Sequence, residues 1–416
     1  MTSKVTLSAS PPQDTVRAAL SYFLVACIFG AICCVWVVLI KAHGEWGGQR
    51  LFWDARVYTT AIDTFRRGGD VYTESNALPF IYAPVFLPGA SLLRTVFPGA
   101  VGTLMYLVTL FAATLAIPWL LARNYIQSQW LTPAIALLLF TFEPKFFGET
   151  MMLSGNISHL LYAAILIAGI PGLRRNRWLP FYLVLGLAAL VKPALLALLL
   201  LPFLAGEGQL FWSAICAGVV ALGSELQRFL MPKQYLAFQE AIYRQLVVRH
   251  DVGLGIFSYL LKIGNRIRAL HGAGGWAMHL LVMGTLIFAL WMLRRRRYDP
   301  VVAHLWVPCL LVTAILANPR MLGYDADLAI IPAIFICAEC IRSAPAGRYR
   351  TAAVAGPLAI FGVVLGNAAG AAICLLLLAS IVLVILRLQQ ARTIGSTEYT
   401  AGPAVLDPHA ATAIVQ

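Results

Sequence analysis

Residues 101–122 read VGTLMYLVTLFAATLAIPWLLA, a stretch without a single charged side chain. A helix that crosses a bilayer needs about 20 consecutive, mostly apolar residues, so this stretch is long enough to span. Comparable apolar runs recur between residues 18 and 387. Because lipid cannot satisfy open backbone groups, such spans must be helices. The sequence therefore predicts an all-α, polytopic transmembrane protein.

The overall composition excludes an ordinary soluble domain. Hydrophobic residues make up 60% of the chain and charged residues 12%, and the mean hydropathy is +0.79. Charged residues make up about a quarter of a typical soluble domain. All eight cysteines lie inside apolar segments, where they are expected to act as small hydrophobes rather than as a disulfide framework or a metal site. No cofactor and no metal is expected.

The net charge of +13 is explained by where the basic residues stand. They form short clusters between apolar runs, at residues 174–177, 294–297, 342–350 and 387–392. Clusters of this kind anchor the cytoplasmic ends of membrane helices. The charge therefore favours a lipid bilayer as partner over nucleic acid, and the sequence leaves the oligomeric state open.

The same clusters predict the topology of the chain. We expect a cytoplasmic N-terminus at residues 1–17, one transmembrane domain of about twelve spans at 18–392, and a disordered cytoplasmic tail at 393–416. Two large loops, at 41–79 and 231–273, then lie outside the membrane, and we expect amphipathic helices in them. The arrangement is typical of a multi-pass protein of the plasma (inner) membrane.

One region does not fit a simple series of spans. Between the first outer loop and the first basic cluster an odd number of crossings is required, yet four apolar runs lie there. We expect residues 131–148 to form a short or re-entrant element. Which of the runs 80–97, 101–122 and 131–142 cross fully stays open.

Lys192 is the sharpest single anomaly, because it interrupts the apolar run 179–205. A cation inside a span costs about 2.5–3.5 kcal/mol on insertion scales, so something must compensate it. Pro193 follows, and a residue before proline is pushed away from helical geometry, which predicts two short helices that meet at a break. Lys192 either snorkels to the interface or points into an outward cavity, where it would hold an anionic lipid phosphate; we favour the second.

The first outer loop carries the best candidate for a catalytic group. Asp54, Tyr58, Ala61 and Phe65 recur at helical spacing and predict a short amphipathic helix on the membrane face. Asp54 opens the stripe that faces the membrane body. A partly desolvated carboxylate there can have its pKa raised enough to act as a general base. A helix N-cap is an equally good interpretation of Asp54 from spacing alone.

Other polar residues of this loop have simpler interpretations. Asp63 stands three and four residues before Arg66 and Arg67, which predicts a solvated ion pair. Tyr72 and Tyr82 stand where the chain re-enters the bilayer, and aromatic residues there are usually interfacial anchors. Their flat faces also suit sugar rings.

Two further groups of polar residues are expected on the outer side. The first contains Asn156 and His159, next to a Ser-Gly-Asn sequence, and the second contains Arg320, Tyr324 and Asp325. Arg320 is suited to bidentate binding of phosphate, although an interfacial anchor explains it equally well. Two alternating carboxylates at 325 and 327, without further ligands, are weak support for a metal.

These positions together resemble the GT-C superfamily of membrane glycosyltransferases, and most closely glycosyltransferase family 87, the polyprenol-phosphate-mannose-dependent mannosyltransferases. The resemblance runs in order over about residues 50–332. It rests on Asp54-x-x-x-Tyr58, Gly68-Gly-Asp-Val-Tyr72, Phe80-Ile-Tyr-Ala-Pro84, Ser154-Gly-Asn156, Gly186-Leu-Ala-Ala-Leu-Val-Lys192-Pro193 and Tyr324-Asp325.

The resemblance implies a GT-C-type fold and an inverting transfer of a hexose, mannose being favoured, from a polyprenyl phosphate to a lipid or glycan hydroxyl on the extracytoplasmic face. It places the catalytic base on Asp54. We expect Lys192 and Arg320 to bind the donor phosphate. The remaining substrate contacts are expected from Tyr58, Tyr72, Tyr82, Asn156, His159, Tyr324 and Asp325.

Two other classes of protein share some of these features. A transporter or lipid-linked-sugar flippase also uses broken helices and intramembrane charge, but usually in two related halves, whereas the polar residues here are concentrated in outer loops. A non-catalytic subunit of an envelope polysaccharide system is the third possibility. The asymmetry favours the enzyme.

Overall fold

The computed structural model describes residues 52–72, 80–126, 154–248, 253, 255–266, 271–298, 300–322, 325, 328–329, 331–333 and 335–336. The expected re-entrant element at 131–148, the N-terminal segment 1–17 and the tail 393–416 lie outside these ranges. Tyr324 and residues 41–51 and 73–79 of the expected first outer loop lie outside them as well.

The described residues are almost entirely helical. In chain order the α-helices are α1 (Trp53–Arg66), α2 (Phe86–Val96), α3 (Gly99–Leu120), α4 (Ser158–Arg175), α5 (Leu179–Val191), α6 (Leu200–Ala205), α7 (Leu210–Leu230), α8 (Pro232–Tyr243), α9 (Ile256–Arg266), α10 (His271–Leu293) and α11 (Pro300–Leu316). This confirms the all-α prediction for the part of the chain that the structure describes.

Three helical stretches are long and apolar enough to cross a membrane: Gly99–Tyr125, Leu210–Leu230 and Ala273–Arg296. Shorter apolar helices add Leu179–Val191, Pro193–Ala205 and Leu305–Leu316. Only the first three have both the length and the composition of a membrane-spanning helix. The expected total of about twelve spans and the side on which each loop lies stay predictions.

Helix α7 has large apolar side chains on its exposed side as well as on its buried side. Phe211, Val219, Leu222 and Phe229 are among its large apolar side chains left exposed. Val220 instead is buried in the interior cluster of the bundle. An apolar surface of this kind would be costly in water but not in lipid, so α7 presents one face to the bilayer and the other to the protein.

The interior of the bundle is built around α4, which packs against α3 and α5. Tyr162, Phe181 and Leu185 are among its largest fully buried side chains. Helix α4 approaches the start of α5 so closely that a Cβ on Gly172 would lie 2.4 Å from the Trp178 ring. Only a residue without a side chain fits there.

The predicted break at Lys192 is confirmed. Helix α5 ends at Val191, Lys192 is extended (φ −133°, ψ 87°), and a 3-10 helix, Pro193–Leu199, leads into α6. The Val191 carbonyl accepts a hydrogen bond from the Ala83 N–H at 3.2 Å. The break therefore docks the segment that precedes α2.

Helix α1 has one buried and one exposed side, and its place on the outer membrane face stays a prediction. Tyr58, Ala61 and Ile62 are buried, whereas the residues on the opposite side are exposed. Asp63 forms its ion pair with Arg94 of α2, at 2.8 Å, so the prediction that it pairs one turn ahead is wrong. Arg66 donates to Ser91 instead. Contacts between α1 and α2 have replaced the local pair.

We expect Gly172→Ala to lower the free energy of unfolding by roughly 1–3 kcal/mol, because its Cβ would overlap the buried Trp178 ring. Gly218→Ala is the matched control, since nothing lies within 4 Å of its Cβ position. Thermal unfolding of the two variants in detergent measures the difference. Equal midpoints for both variants would contradict the close packing of α4 on α5.

Candidate active site

The first turn of α1 is anchored on the segment that precedes α4. The Asp54 and Ala55 N–H groups both donate to the Ser154 carbonyl, at 2.8 and 3.3 Å. Phe52 occupies the N-cap position in the left-handed conformation (φ 59°, ψ 44°), and Asp54 lies inside the helix. Asp54 is therefore not the N-cap, and its carboxylate is directed to other partners.

The Asp54 carboxylate is half-buried and is held by Asn156. The Asn156 Nδ2 group donates to Asp54 Oδ2 at 2.8 Å. Burial raises the pKa of Asp54 from 3.8 to about 6, and the hydrogen bond from Asn156 and the charges of Lys192 and Arg320 oppose that rise. At neutral pH the group is mostly ionised and is still a competent proton acceptor.

Asn156 itself has only one possible orientation. Its Oδ1 atom accepts from the Ser158 N–H at 2.9 Å and from the Tyr82 hydroxyl at 3.1 Å. A backbone N–H can only donate, so the amide NH2 must be the end that faces Asp54. Gly155 makes the tight turn possible with φ +65°, and its Cβ position lies 3.1 Å from Ala55.

Tyr58, Tyr72 and Tyr82 lie together, but as a packed cluster. Their exposed fractions are 6%, 2% and 8%. Tyr58 meets Tyr82 edge to face at 5.3 Å, and the Tyr72 hydroxyl donates to the Tyr82 carbonyl at 2.8 Å. Phe80 and Phe86 complete the cluster. In this structure the three rings are buried against one another and against neighbouring side chains.

Lys192 is held by a buried ion pair that sequence reasoning missed. Its Nζ atom donates to Asp325 Oδ1 at 2.5 Å and to Ser158 Oγ at 2.9 Å. Asp325 is fully buried and also accepts from the Tyr162 hydroxyl at 2.6 Å and from the Leu322 N–H at 3.1 Å. Lys192 therefore does not snorkel. The signal that could have revealed the pair was the isolated cation at Lys192, which needs a buried carboxylate as its partner.

Arg320 and His159 lie at the same site. Arg320 is half-buried, and its positive charge helps to lower the pKa of Asp54. The Asn318 side chain accepts from the Arg320 N–H at 3.0 Å and so fixes the turn. His159 is fully buried in the first turn of α4.

The site thus combines one carboxylate that can accept a proton with two cations, beside the N-terminus of α4. A helix N-terminus also favours negative charge. Within the described ranges, no group of three His, Cys, Asp or Glu side chains is arranged to hold a metal ion. Asp327, the second carboxylate of the alternating pair, lies outside those ranges.

A comparison with sequence models of protein families decides the family. The model of glycosyltransferase family 87 matches residues 80–319, more than half of the chain. The chain belongs to glycosyltransferase family 87. It is therefore a membrane glycosyltransferase that uses a sugar donor and an acceptor. Searches of curated proteins and of solved structures returned no match.

The match to family 87 covers only part of the site. Asn156, His159 and Lys192 lie inside the matched residues, Asp54 precedes them, and Arg320 follows directly after their end. The structure brings Asp54 to Asn156 by a direct hydrogen bond. Asp54 lies outside the matched residues in sequence, but in the folded chain it contacts Asn156, which lies inside them.

We expect Lys192→Met to lower the free energy of unfolding by about 3–5 kcal/mol, because it leaves Asp325 buried without its counter-charge. Asp63→Asn is the matched control, since it breaks the half-exposed pair with Arg94 and should cost at most about 1 kcal/mol. Denaturant or thermal unfolding in detergent gives both values. A Lys192→Met protein as stable as Asp63→Asn would contradict the buried pair.

Proposed function

We propose that this family 87 enzyme transfers a hexose, preferentially mannose, from a polyprenyl phosphate to a hydroxyl of a lipid or glycan acceptor, with inversion. We place the reaction on the extracytoplasmic face of the plasma (inner) membrane. The observation that carries the proposal is that Asp54 and Lys192 both hydrogen-bond to the start of α4, through Asn156 and Ser158, since a glycosyl transfer from a phosphate needs a base and a cation.

Asp54 is the proposed general base. The acceptor oxygen attacks the anomeric carbon as its proton passes to the Asp54 carboxylate. The bond between the anomeric carbon and the phosphate oxygen breaks, and its electron pair stays on the phosphate. Attack from the face opposite the phosphate inverts the configuration. A pKa of about 6 suits this role, because the group is mostly ionised at pH 7 and yet basic enough to take the proton.

Lys192 and Arg320 are the proposed partners of the leaving phosphate. Cations fixed before the reaction stabilise the charge that develops on a leaving group without having to reorganise. Asp325 and Ser158 fix the Lys192 ammonium in place.

The remaining predicted site residues divide into supporting residues and proposed sugar contacts. His159 lies beside the ion pair of Lys192 with Asp325. The fully buried Asp325 is best assigned to holding Lys192. Tyr72 supports Tyr82 through its hydroxyl. A direct sugar contact by Tyr58, Tyr72, Tyr82, His159 or Tyr324 stays a prediction.

We expect Asp54→Asn to lower hexosyl transfer by about 10²–10⁴-fold, the range in which a general base contributes. The assay uses membranes or proteoliposomes with a defined polyprenyl-phosphate hexose. Wild-type activity should fall as the pH drops through about 6, because Asp54 then becomes protonated. Wild-type rates in a correctly inserted Asp54→Asn protein would refute the base and favour a non-catalytic assembly subunit.

The stability of Asp54→Asn shows whether its loss of activity has a structural cause, because we expect this substitution to lower activity without lowering stability. The folded state raises the pKa of Asp54 from 3.8 to about 6, so it binds the proton more tightly than the unfolded state. Stability contributed by the protonated group is lost as the pH rises from 3.8 to 6. At pH 7 the variant should therefore be at least as stable as wild type, and the difference should shrink toward pH 4.

A double variant separates the two roles of Lys192. We expect Lys192→Met combined with Asp325→Asn to recover much of the stability lost by Lys192→Met, because no buried charge is left unpaired. Hexosyl transfer should nevertheless stay at least about tenfold below wild type, because the phosphate loses a fixed cation. A stable double variant with full activity would show that Lys192 only neutralises Asp325.

A further inference from the structure

A continuous series of hydrogen bonds leads from α1 across two other segments and back to α1. The Ile157 N–H donates to the Tyr58 hydroxyl at 3.3 Å, and the Tyr58 and Tyr82 hydroxyl oxygens lie 2.9 Å apart. Tyr82 donates to Asn156, and Asn156 donates to Asp54. Tyr58 and Asp54 stand one turn apart on α1, so the series begins and ends on the same helix.

The direction of every bond in this series is determined. Tyr82 has one hydroxyl proton and directs it to Asn156 Oδ1. The proton between the two tyrosines must then come from Tyr58, whose oxygen accepts from the Ile157 N–H. The Ser158 N–H fixes the Asn156 amide, so that its NH2 group faces the carboxylate. All the donors point toward Asp54.

We propose that Tyr58, Tyr82 and Asn156 form a one-way hydrogen-bond relay that holds the Asp54 carboxylate in the position and ionisation state required of the base. The proposal rests on the proposed function of Asp54. The three side chains act through Asp54 and are positioning residues. Ser154 also donates a side-chain hydrogen bond to the Asp54 carboxylate, and the tests below leave it unchanged.

The physical need for such a relay follows from the position of Asp54. A carboxylate that is partly removed from water loses hydration and must recover it from fixed donors. Donors that are themselves polarised by other hydrogen bonds are stronger than isolated ones. Burial of Tyr58 and Tyr82 removes water that could compete for the same protons. The relay thus replaces hydration with bonds that also fix the direction of the carboxylate.

Other charged and titratable groups around Asp54 set the background for any test. Lys192 faces it from the end of α5 and Arg320 from the turn after α11, and both favour the ionised carboxylate. Tyr106 of α3 donates to the Gly155 carbonyl and experiences the charge of Asp54. None of these groups belongs to the relay. Changes in Tyr82 or Asn156 leave them in place.

The test is the pH dependence of kcat/KM for transfer from a defined polyprenyl-phosphate hexose by the full-length enzyme in proteoliposomes. We expect Asn156→Ala to move the acid limb upward by about one pH unit and to lower kcat about tenfold or more, since it removes a hydrogen bond to a charged group. KM for the donor should change little. Asn156→Asp, which replaces the donor by a second carboxylate, should move the limb further.

Tyr82→Phe should shift the limb in the same direction but less, because the Ser158 N–H still holds the amide. Tyr125→Phe is the matched control. It removes a similarly buried hydroxyl that donates to the Leu166 carbonyl, in the other hydrophobic cluster, and it should leave the limb at the wild-type pH. Equal limbs for Tyr82→Phe, Asn156→Ala and wild type, with only a loss of kcat or of stability, would overturn the relay.

The same experiments distinguish failure of the relay from failure of the proposed function. If Asp54→Asn keeps wild-type activity, the base assignment fails and the relay has nothing to position. If Asp54→Asn abolishes transfer while the Asn156 and Tyr82 variants keep the wild-type acid limb, Asp54 is the base and the relay alone is refuted.

Discussion

The site depends on the pairing of Lys192 with Asp325 inside an apolar bundle. A single charge buried there without a partner would strongly destabilise the fold. Lys192 and Asp325 must therefore be buried together. The pair joins the break after α5 to the segment that follows α11, which are more than a hundred residues apart. Ser158 and Tyr162 of α4 also hydrogen-bond to the pair, and so they bind the first turns of α4 to both segments. One electrostatic requirement thus fixes three segments at the point where the sugar chemistry is proposed.

Helix α1 is held against the start of α4 by backbone hydrogen bonds rather than by charge. The Ser154 carbonyl caps the first turn of α1, and the turn at Gly155 delivers Asn156 to the Asp54 carboxylate. The buried side of α1 then packs on the aromatic cluster of Tyr72, Tyr82 and their neighbours. An amphipathic helix alone can slide along a membrane surface. Here its first turn is held at a defined point, which is what a base must have to meet a bound acceptor.

Much of this arrangement could be predicted from the sequence, but only at the level of elements. The helical class, the break at Lys192, the amphipathic stripe through Tyr58 and the family all follow from local patterns, because composition, proline and period act over a few residues. The contact partners of individual side chains do not follow from such local patterns. Asp63 could have paired with Arg66 by spacing, yet it binds Arg94, which comes from another helix. The pairing of Lys192 with Asp325 and the burial of the tyrosines likewise depend on how distant segments meet, and no local pattern records that.

The charges of the site suggest why a base and a paired lysine belong together in this enzyme. Asp54 and Asp325 balance Lys192 and Arg320, so the four groups are neutral when Asp54 is ionised. A polyprenyl-phosphate sugar is a phosphodiester with one negative charge, whereas the polyprenyl phosphate released is a monoester with a charge of about −1.5 to −2. In the proposed transfer the proton reaches Asp54 as the phosphate gains this charge. The four groups become net positive when the leaving group becomes more negative, and Lys192 and Arg320 lose a competing anion. Proton transfer to the base would therefore strengthen the electrostatic stabilisation of the leaving phosphate in the same step.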